Sequence, residues 1–362
     1  MAAERVHVPF PVGVLGATGT VGQRFIKLIA AHPYFRLHAL GASARSAGRP
    51  YHQAVKGRWK QTTAVPASAR DLVVQECVPD RFQGCVVIFS GLDADVAGDV
   101  ELAFRASEFA VFSNAKNHRR DAQIPLIVPL VNPAHFAIIP HQRSVQTPRL
   151  QRGFIVTNAN CSTTGLVIPL AALEKKYGPL DAVLVSTMHM DIMDNVIPYI
   201  GGEEEKLEWE TAKILGGLTQ DGTSFNLRAE SPLRISASCS RVPVTEGHTE
   251  TVSVRFSHRP PPSPQQVRET LAEFSTEAQS LRVPSAPQHA IIVHEDNDRP
   301  QPRLDRDSQD GSCVHVGRIR QCAVLDIKFV VMSNNVAIGA ATSSIMNAEI
   351  ALSKKIIISP DS

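Results

Sequence analysis

Long apolar runs are missing from this 362-residue chain. No segment reaches the ~18–20 continuous apolar residues that a membrane span requires. The opening stretch, MAAERVHVPFPVGVLG, has no apolar block of the kind a secretory leader carries, so a cytoplasmic location is expected. Cysteine pairs are missing too. Cys77, Cys85, Cys161, Cys239, Cys313 and Cys322 are scattered, and no two are spaced as CxxC. That pattern argues against a disulfide framework and against a zinc site, so no metal is expected. Charge of one sign is also absent. With 37 basic and 35 acidic residues the formal net charge is +2, and no basic run is interleaved with aromatics. Nothing therefore favours nucleic acid or an anionic membrane as a partner. There is no internal repeat.

What is present is ample apolar material, 43% of the residues, in a length that suits two domains rather than one core. The segment VGVLGATGTVGQRFIKLIAAHP begins with a short apolar strand, passes through glycines at 16, 19 and 22, and enters a helix that stops before Pro33. FRLHALGAS, CVVIFSG and FAVFSNA read as further parallel strands. Strands alternating with helices imply an α/β, doubly wound Rossmann-type sheet with ligands at the strand C-termini. After about residue 153 the texture changes. LDAVLVSTMHM, TETVSVRFSH and LDIKFVVMSN read as longer strands of an antiparallel or mixed sheet in a second, α+β domain. EDNDRPQPRLDRDSQDGS, rich in breakers, reads as a surface loop. NNVAIGAATSSIMNAEIALSKKIII reads as a turn and a long amphipathic helix.

The first candidate site is GATGTVG. Phosphate oxygens approach backbone N–H groups at a positive helix end, and glycine removes the side chains that would block them. Gly16, Ala17, Thr18, Gly19, Thr20, Val21 and Gly22 are thus candidate nucleotide-binding residues, although a tight turn without a ligand also favours glycine. NAD sites hold the ribose 2′-hydroxyl with an acid about 20 positions on. Here that region is GASARSAGRPY, with no acid. Ser43, Arg45 and Ser46 could hold a 2′-phosphate instead, which favours NADP; Arg45 could equally be a solvated surface charge.

The second candidate is NANCSTTG. Cys161 follows an apolar strand and precedes a helix, with Ser162 or a neighbouring threonine as expected N-cap. The field of a helix N-terminus favours a thiolate. A nucleophile needs a base, and among thirteen histidines His248, in EGHTE before an apolar strand, stands out. A buried structural cysteine and an unrelated surface histidine remain the alternative.

GATGTVGQRF, FSGLDAD, SNAKNHRRDAQIPLIVPLVNP, NCST, IPYIGGEEEKLEWETAKIL, RVPVTEGHTE, RPQPRLDR and VGRIR occur in this order. Together they resemble the aspartate-semialdehyde dehydrogenase family, in its fungal-like branch, from about Gly13 to about Ala351. The resemblance implies NADPH-dependent reduction of β-aspartyl phosphate to aspartate semialdehyde with release of phosphate. It makes Cys161 the acyl-accepting nucleophile and His248 the general acid/base. It gives Arg241 the substrate carboxylate, Arg119 and Lys206 the phosphate, and Glu203 the substrate amino group, with Asn160 also at the substrate. It adds Ser90, Gly91, Asn114, Gly165 and Asn335 to the cofactor residues. It also implies a dinucleotide domain over 1–153 completed by a C-terminal helix at about 336–362. A catalytic and dimerisation domain would span 154–335, in a homodimer or homotetramer.

One departure stands out. In the family the strand ending in ST continues into a glutamine and a glycine-rich SGAG turn. Here Met188 runs straight into His189, and about a dozen residues that would orient the acyl group and touch the nicotinamide are absent. His189 and Met190 could partly fill that space, His189 otherwise reading as a plain strand-end residue. The departure leaves open a paralogue with impaired catalysis that binds nucleotide or oligomerises. A related N-acyl-glutamyl-phosphate reductase is the other alternative.

Overall fold

The computed structural model describes residues 9–189 and 192–358; Met190 and the last four residues of the expected C-terminal helix lie outside them. The chain divides into two units. The first comprises Met1–Pro125, Ile138–Asn158 and Ser344–Ser362, the second Leu126–Ala137 and Ala159–Ser343.

In the first unit six strands lie parallel in the order Val74–Glu76, Phe35–Ala42, Phe10–Leu15, Val87–Ser90, Ala110–Ser113, Phe154–Asn158. The central strands are buried along most of their length, because a parallel sheet is covered on both faces, and this explains the unbroken runs VGVL, VVIFS and FIVTN. The helices Thr20–Ile29 and Ala94–Ala106 belong to this unit. Phe25, Phe35, Phe89, Phe112 and Phe154 pack in a row, with ring centroids 5.2 to 6.0 Å apart. Strand order reverses between Phe10–Leu15 and Val87–Ser90. Such a switch point opens a crevice at the strand C-termini, and the glycine loop and Ser90–Gly91 stand on its two sides.

In the second unit a mixed six-stranded sheet runs Ile291–Val293, Val314–Gln321, Ile327–Ser333, His248–Phe256, Leu180–His189, Arg234–Arg241. The outer pairs at each end are parallel and the inner pairs antiparallel. The helix Cys161–Tyr177 lies against His248–Phe256 and Ile327–Ser333. From Ser162 to Leu170 it is buried on every side. The charged run EEEKLEWE is helical, Glu203–Gly216, with three glutamates in its first turn where the helix dipole favours negative charge.

Two expectations are corrected. The polar stretch near 300 is not simply a surface loop: it forms the short helix Pro302–Asp305, and Asp305 is buried and paired with Arg299. The C-terminal helix, Thr342–Ser353, is not amphipathic, because every residue from Thr342 to Ala351 is buried, polar ones included.

Candidate active site

At the glycine loop, sterics separate the three glycines by role. Gly16 has φ +71°, and a Cβ there would stand 2.5 Å from the Gly91 carbonyl oxygen. A Cβ on Gly22 would overlap the Gly16 carbonyl oxygen. Both positions are therefore demanded by the turn itself. A Cβ on Gly19 meets nothing closer than 3.4 Å. Gly19 is the N-cap of Thr20–Ile29 and carries no side-chain cap, and the first turn holds no acid. A bare, uncapped helix N-terminus of this kind is chemically suited to an anion. The loop is clamped from behind by two residues that sequence reasoning missed. Buried Tyr51 donates its hydroxyl to the Ala17 carbonyl at 2.8 Å. Gln23 donates to the carbonyls of Thr18 and Arg58, each at 2.9 Å.

Ser43 and Arg45 are exposed beside this loop, whereas Ser46 is turned inward and buried. The Ser90 hydroxyl also points inward, donating to Glu101 at 2.6 Å, as does Ser113 at 2.7 Å. The Ser90 hydroxyl is therefore already engaged by Glu101. The Asn114 amide bonds Ser344 at 3.1 Å, and its oxygen accepts from Asn158 at 2.9 Å. Arg119 is buried and donates to the Asn114 carbonyl at 3.0 Å.

The second unit carries the reactive cluster. Cys161 is the first residue of its helix and half-buried. Neither Ser162 nor a threonine is the N-cap; Asn160 is. Its side-chain oxygen accepts the N–H groups of Ser162 and Thr163 at 2.9 and 3.4 Å, the most favoured capping chemistry. The Asn160 amide donates to Glu203, and its backbone N–H donates to Glu210 at 2.6 Å. Two carboxylates one helix face apart thus hold the cap that aims Cys161. Glu210 was missed, although its spacing of seven from Glu203 is two helical turns. Glu203 also pairs with Lys206 at 2.8 Å, and these partners hold its carboxyl below the usual range despite burial.

The Ser162 hydroxyl lies 3.2 Å from His248 Nδ1, joining positions 86 residues apart. His248 is buried. Desolvation first, and the neighbouring His189 second, push it down to about 3, so the folded protein keeps it neutral. The Gly247 N–H just before it donates to Asn335 at 2.9 Å. Gly165 has a packing reason of its own, since a Cβ there would stand 2.5 Å from Ser333 Oγ. Gly339 likewise gives room to Cys161, whose Cβ would be 2.9 Å from an added methyl. Arg241 ends its strand level with His189. His189 is a strand-end residue as expected, yet its ring belongs to the site: Nε2 is 2.9 Å from Ser162 Oγ.

Burial raises Cys85 and Cys239 to about 12 and Cys313 to about 11, which makes them inert thiols. His294, Asp305 and His315 cluster as metal ligands do. However, Arg299 and the Gln301 N–H already occupy the Asp305 oxygens.

The chain matches the model of the semialdehyde dehydrogenase NAD binding domain over residues 11–139. It matches that of the semialdehyde dehydrogenase dimerisation domain over residues 149–338. It is 59% identical over 360 residues to aspartate-semialdehyde dehydrogenase of Cryptococcus neoformans, covering 96% of this chain and 98% of the relative. It is 49% identical over 362 residues to the Saccharomyces cerevisiae enzyme, covering 95% and 98%. The crystal structure of aspartate semialdehyde dehydrogenase with NADP from Candida albicans matches with a TM-score of 0.90 and 51% identity, over 97% of this chain and 100% of that one. This chain is a member of the aspartate-semialdehyde dehydrogenase family.

Proposed function

We propose that this chain is an NADP-dependent aspartate-semialdehyde dehydrogenase, reducing β-aspartyl phosphate to aspartate semialdehyde with release of phosphate, on the route to threonine, methionine and lysine. The carrying observation is the junction of Cys161, at the first position of an Asn160-capped helix, with His248 through the hydroxyl of the next residue, Ser162.

His248, neutral at rest, takes the Cys161 proton. The sulfur attacks the acyl carbon, the carbon–oxygen bond to phosphate breaks, and phosphate leaves with the electron pair to give a thioester. NADPH, when bound, supplies the hydride that reduces this thioester. The carbon–sulfur bond then breaks, and His248 returns its proton to the departing sulfur. A positioned acid–base group of this kind contributes ~10²–10⁴-fold. Arg241 suits the substrate carboxylate because a guanidinium fork offers paired donors. Arg119 and Lys206 suit phosphate, and Glu203 the amino group. The backbone of Gly16–Gly22 would hold the pyrophosphate, and the exposed Ser43 and Arg45 the 2′-phosphate. The match to a dimerisation domain supports a homodimer or homotetramer, working in the cytoplasm.

The test is spectroscopic. The protein is incubated with aspartate semialdehyde, phosphate and NADP while absorbance of the reduced cofactor is followed, beside Cys161→Ala and with N-acetylglutamate semialdehyde as the competing substrate. Turnover with the aspartyl substrate alone, lost in the variant, is expected. Intact NADP binding without turnover would overturn this reading in favour of a silent paralogue.

A further inference from the structure

Ser162 stands between two imidazoles. Its oxygen is 2.9 Å from His189 Nε2 and 3.2 Å from His248 Nδ1, and the ring centroids are 4.1 Å apart at 40°. A hydroxyl has one proton. Between two ring nitrogens it donates to one and accepts from the other, so the rings cannot choose their tautomers independently. In one state His248 Nδ1–H donates to Ser162, Ser162 donates to His189 Nε2, and His248 Nε2 is a bare base. In the other every donor along the line is reversed, and His248 carries its proton on Nε2.

The two rings differ in what surrounds them. Desolvation first, then Arg241 and Lys206, push His189 below the ordinary imidazole range, and Glu203 works against that by favouring its charged form. His248 is more deeply buried, and desolvation first and the neighbouring His189 second oppose its charged form. Glu250, two residues along the same strand face, is fully buried. It finds no hydrogen-bond partner among the described residues, and desolvation holds it protonated. Cys161 and Glu210 complete the titratable groups around the cluster, with Cys239 on the neighbouring strand.

Resting on the dehydrogenase reading above, we propose that His189 is a positioning residue that acts through Ser162: it receives the charge that His248 would otherwise carry on taking the proton of Cys161. The balance is simple. The thiol proton goes to His248 Nε2, the Nδ1 proton passes to the Ser162 oxygen, and the hydroxyl proton passes to His189 Nε2. One N–H bond replaces another on His248, Ser162 is regenerated, and the positive charge comes to rest beside Glu203. Reversal returns the proton to sulfur when the thioester carbon has been reduced.

The experiment reads thiolate formation directly, without substrate or nucleotide. Alkylation of Cys161 by iodoacetamide is followed by mass spectrometry against pH in the wild type, Ser162→Ala, His189→Gln and the double variant, each checked for an unchanged melting profile. Both single variants should slow alkylation at neutral pH about tenfold and move its inflection toward the ~8.5 of an ordinary thiol. The double variant should be no worse than either single one, because a relay is broken once. Glutamine keeps a hydrogen-bonding group at position 189 but cannot hold the charge. A wild-type profile in His189→Gln, or multiplied losses in the double variant, would overturn the relay. Because the readout needs no turnover, the relay and the assignment of substrate fail separately. If one variant does not fold, the other carries the same comparison of profiles.

Discussion

Between Gly16 and Gly22 the chain leaves side chains out, whereas between Asn160 and His248 it crowds polar side chains together. The loop's geometry is fixed by backbone contacts that only glycine permits, at Gly16 and Gly22, with Tyr51 and Gln23 bracing it from behind. The cluster's geometry is fixed by a chain of hydrogen bonds from Glu210 and Glu203 through Asn160 to the helix, and from Ser162 to two histidines. A loop of that kind offers N–H groups of fixed position and no titratable atom. A cluster of that kind can move protons, because its members exchange donor and acceptor roles. The difference teaches which perturbation each feels most: added volume at Gly16 and Gly22 in the loop, and titration in the cluster.

The largest expected effect strikes the cluster. His248→Gln should lower kcat by ~10²–10⁴-fold with NADP affinity unchanged, measured by steady-state kinetics beside a nucleotide titration. Loss of NADP affinity in that variant would break the division of labour. The next strikes the loop. Gly22→Ala should both lower the melting temperature and abolish NADP binding, since an added methyl overlaps the Gly16 carbonyl. Gly19→Ala should leave the melting temperature within a degree or two but weaken NADP about tenfold. An equal loss of stability in both would sink the distinction between structural and ligand-facing glycines.

The last effect concerns acidity, and one buried group in each unit gives opposite signs. Burial pushes Glu101, behind Ser90 and Ser113, up to about 7. The folded chain then binds the extra proton between about 4.5 and 7, so this group's stabilising contribution is complete below that window and is lost as pH rises through it. Burial pushes His135, in the second unit, down to about 4, with Lys213 adding to the effect. There the unfolded chain binds the extra proton, so stability falls as pH drops from about 6.5 to about 4. Each effect should reach about 3 kcal/mol across its window. Urea denaturation at stepped pH should show Glu101→Gln flattening the loss on the alkaline side and His135→Gln flattening the loss on the acid side. Identical pH slopes in both variants would refute the contrast.

Much of this was legible beforehand because local patterns have local causes. The unbroken apolar strands announced a parallel sheet, the glycine spacing announced a strand-to-helix turn, and Cys161 announced a helix start. The cap was misassigned by two or more positions because Asn, Ser and Thr all cap helices well. Only the bond from the Asn160 oxygen to two N–H groups decides among them. Ser90 entered the cofactor residues through the family resemblance, but which way its hydroxyl turns depends on neighbours such as Glu101.

The sequence alone determined most of the elements, the glycine turn and the candidacy of Cys161 and His248, since periodicity, glycine sterics and residue chemistry act over a few residues. Only tertiary structure decided that Ser162 would bridge His189 to His248, that Glu203 and Glu210 would hold the cap, and that Glu101 and Glu250 would be buried. Those outcomes depend on strands and helices far apart in the chain arriving at one place, where desolvation and hydrogen bonding reset what each side chain can do.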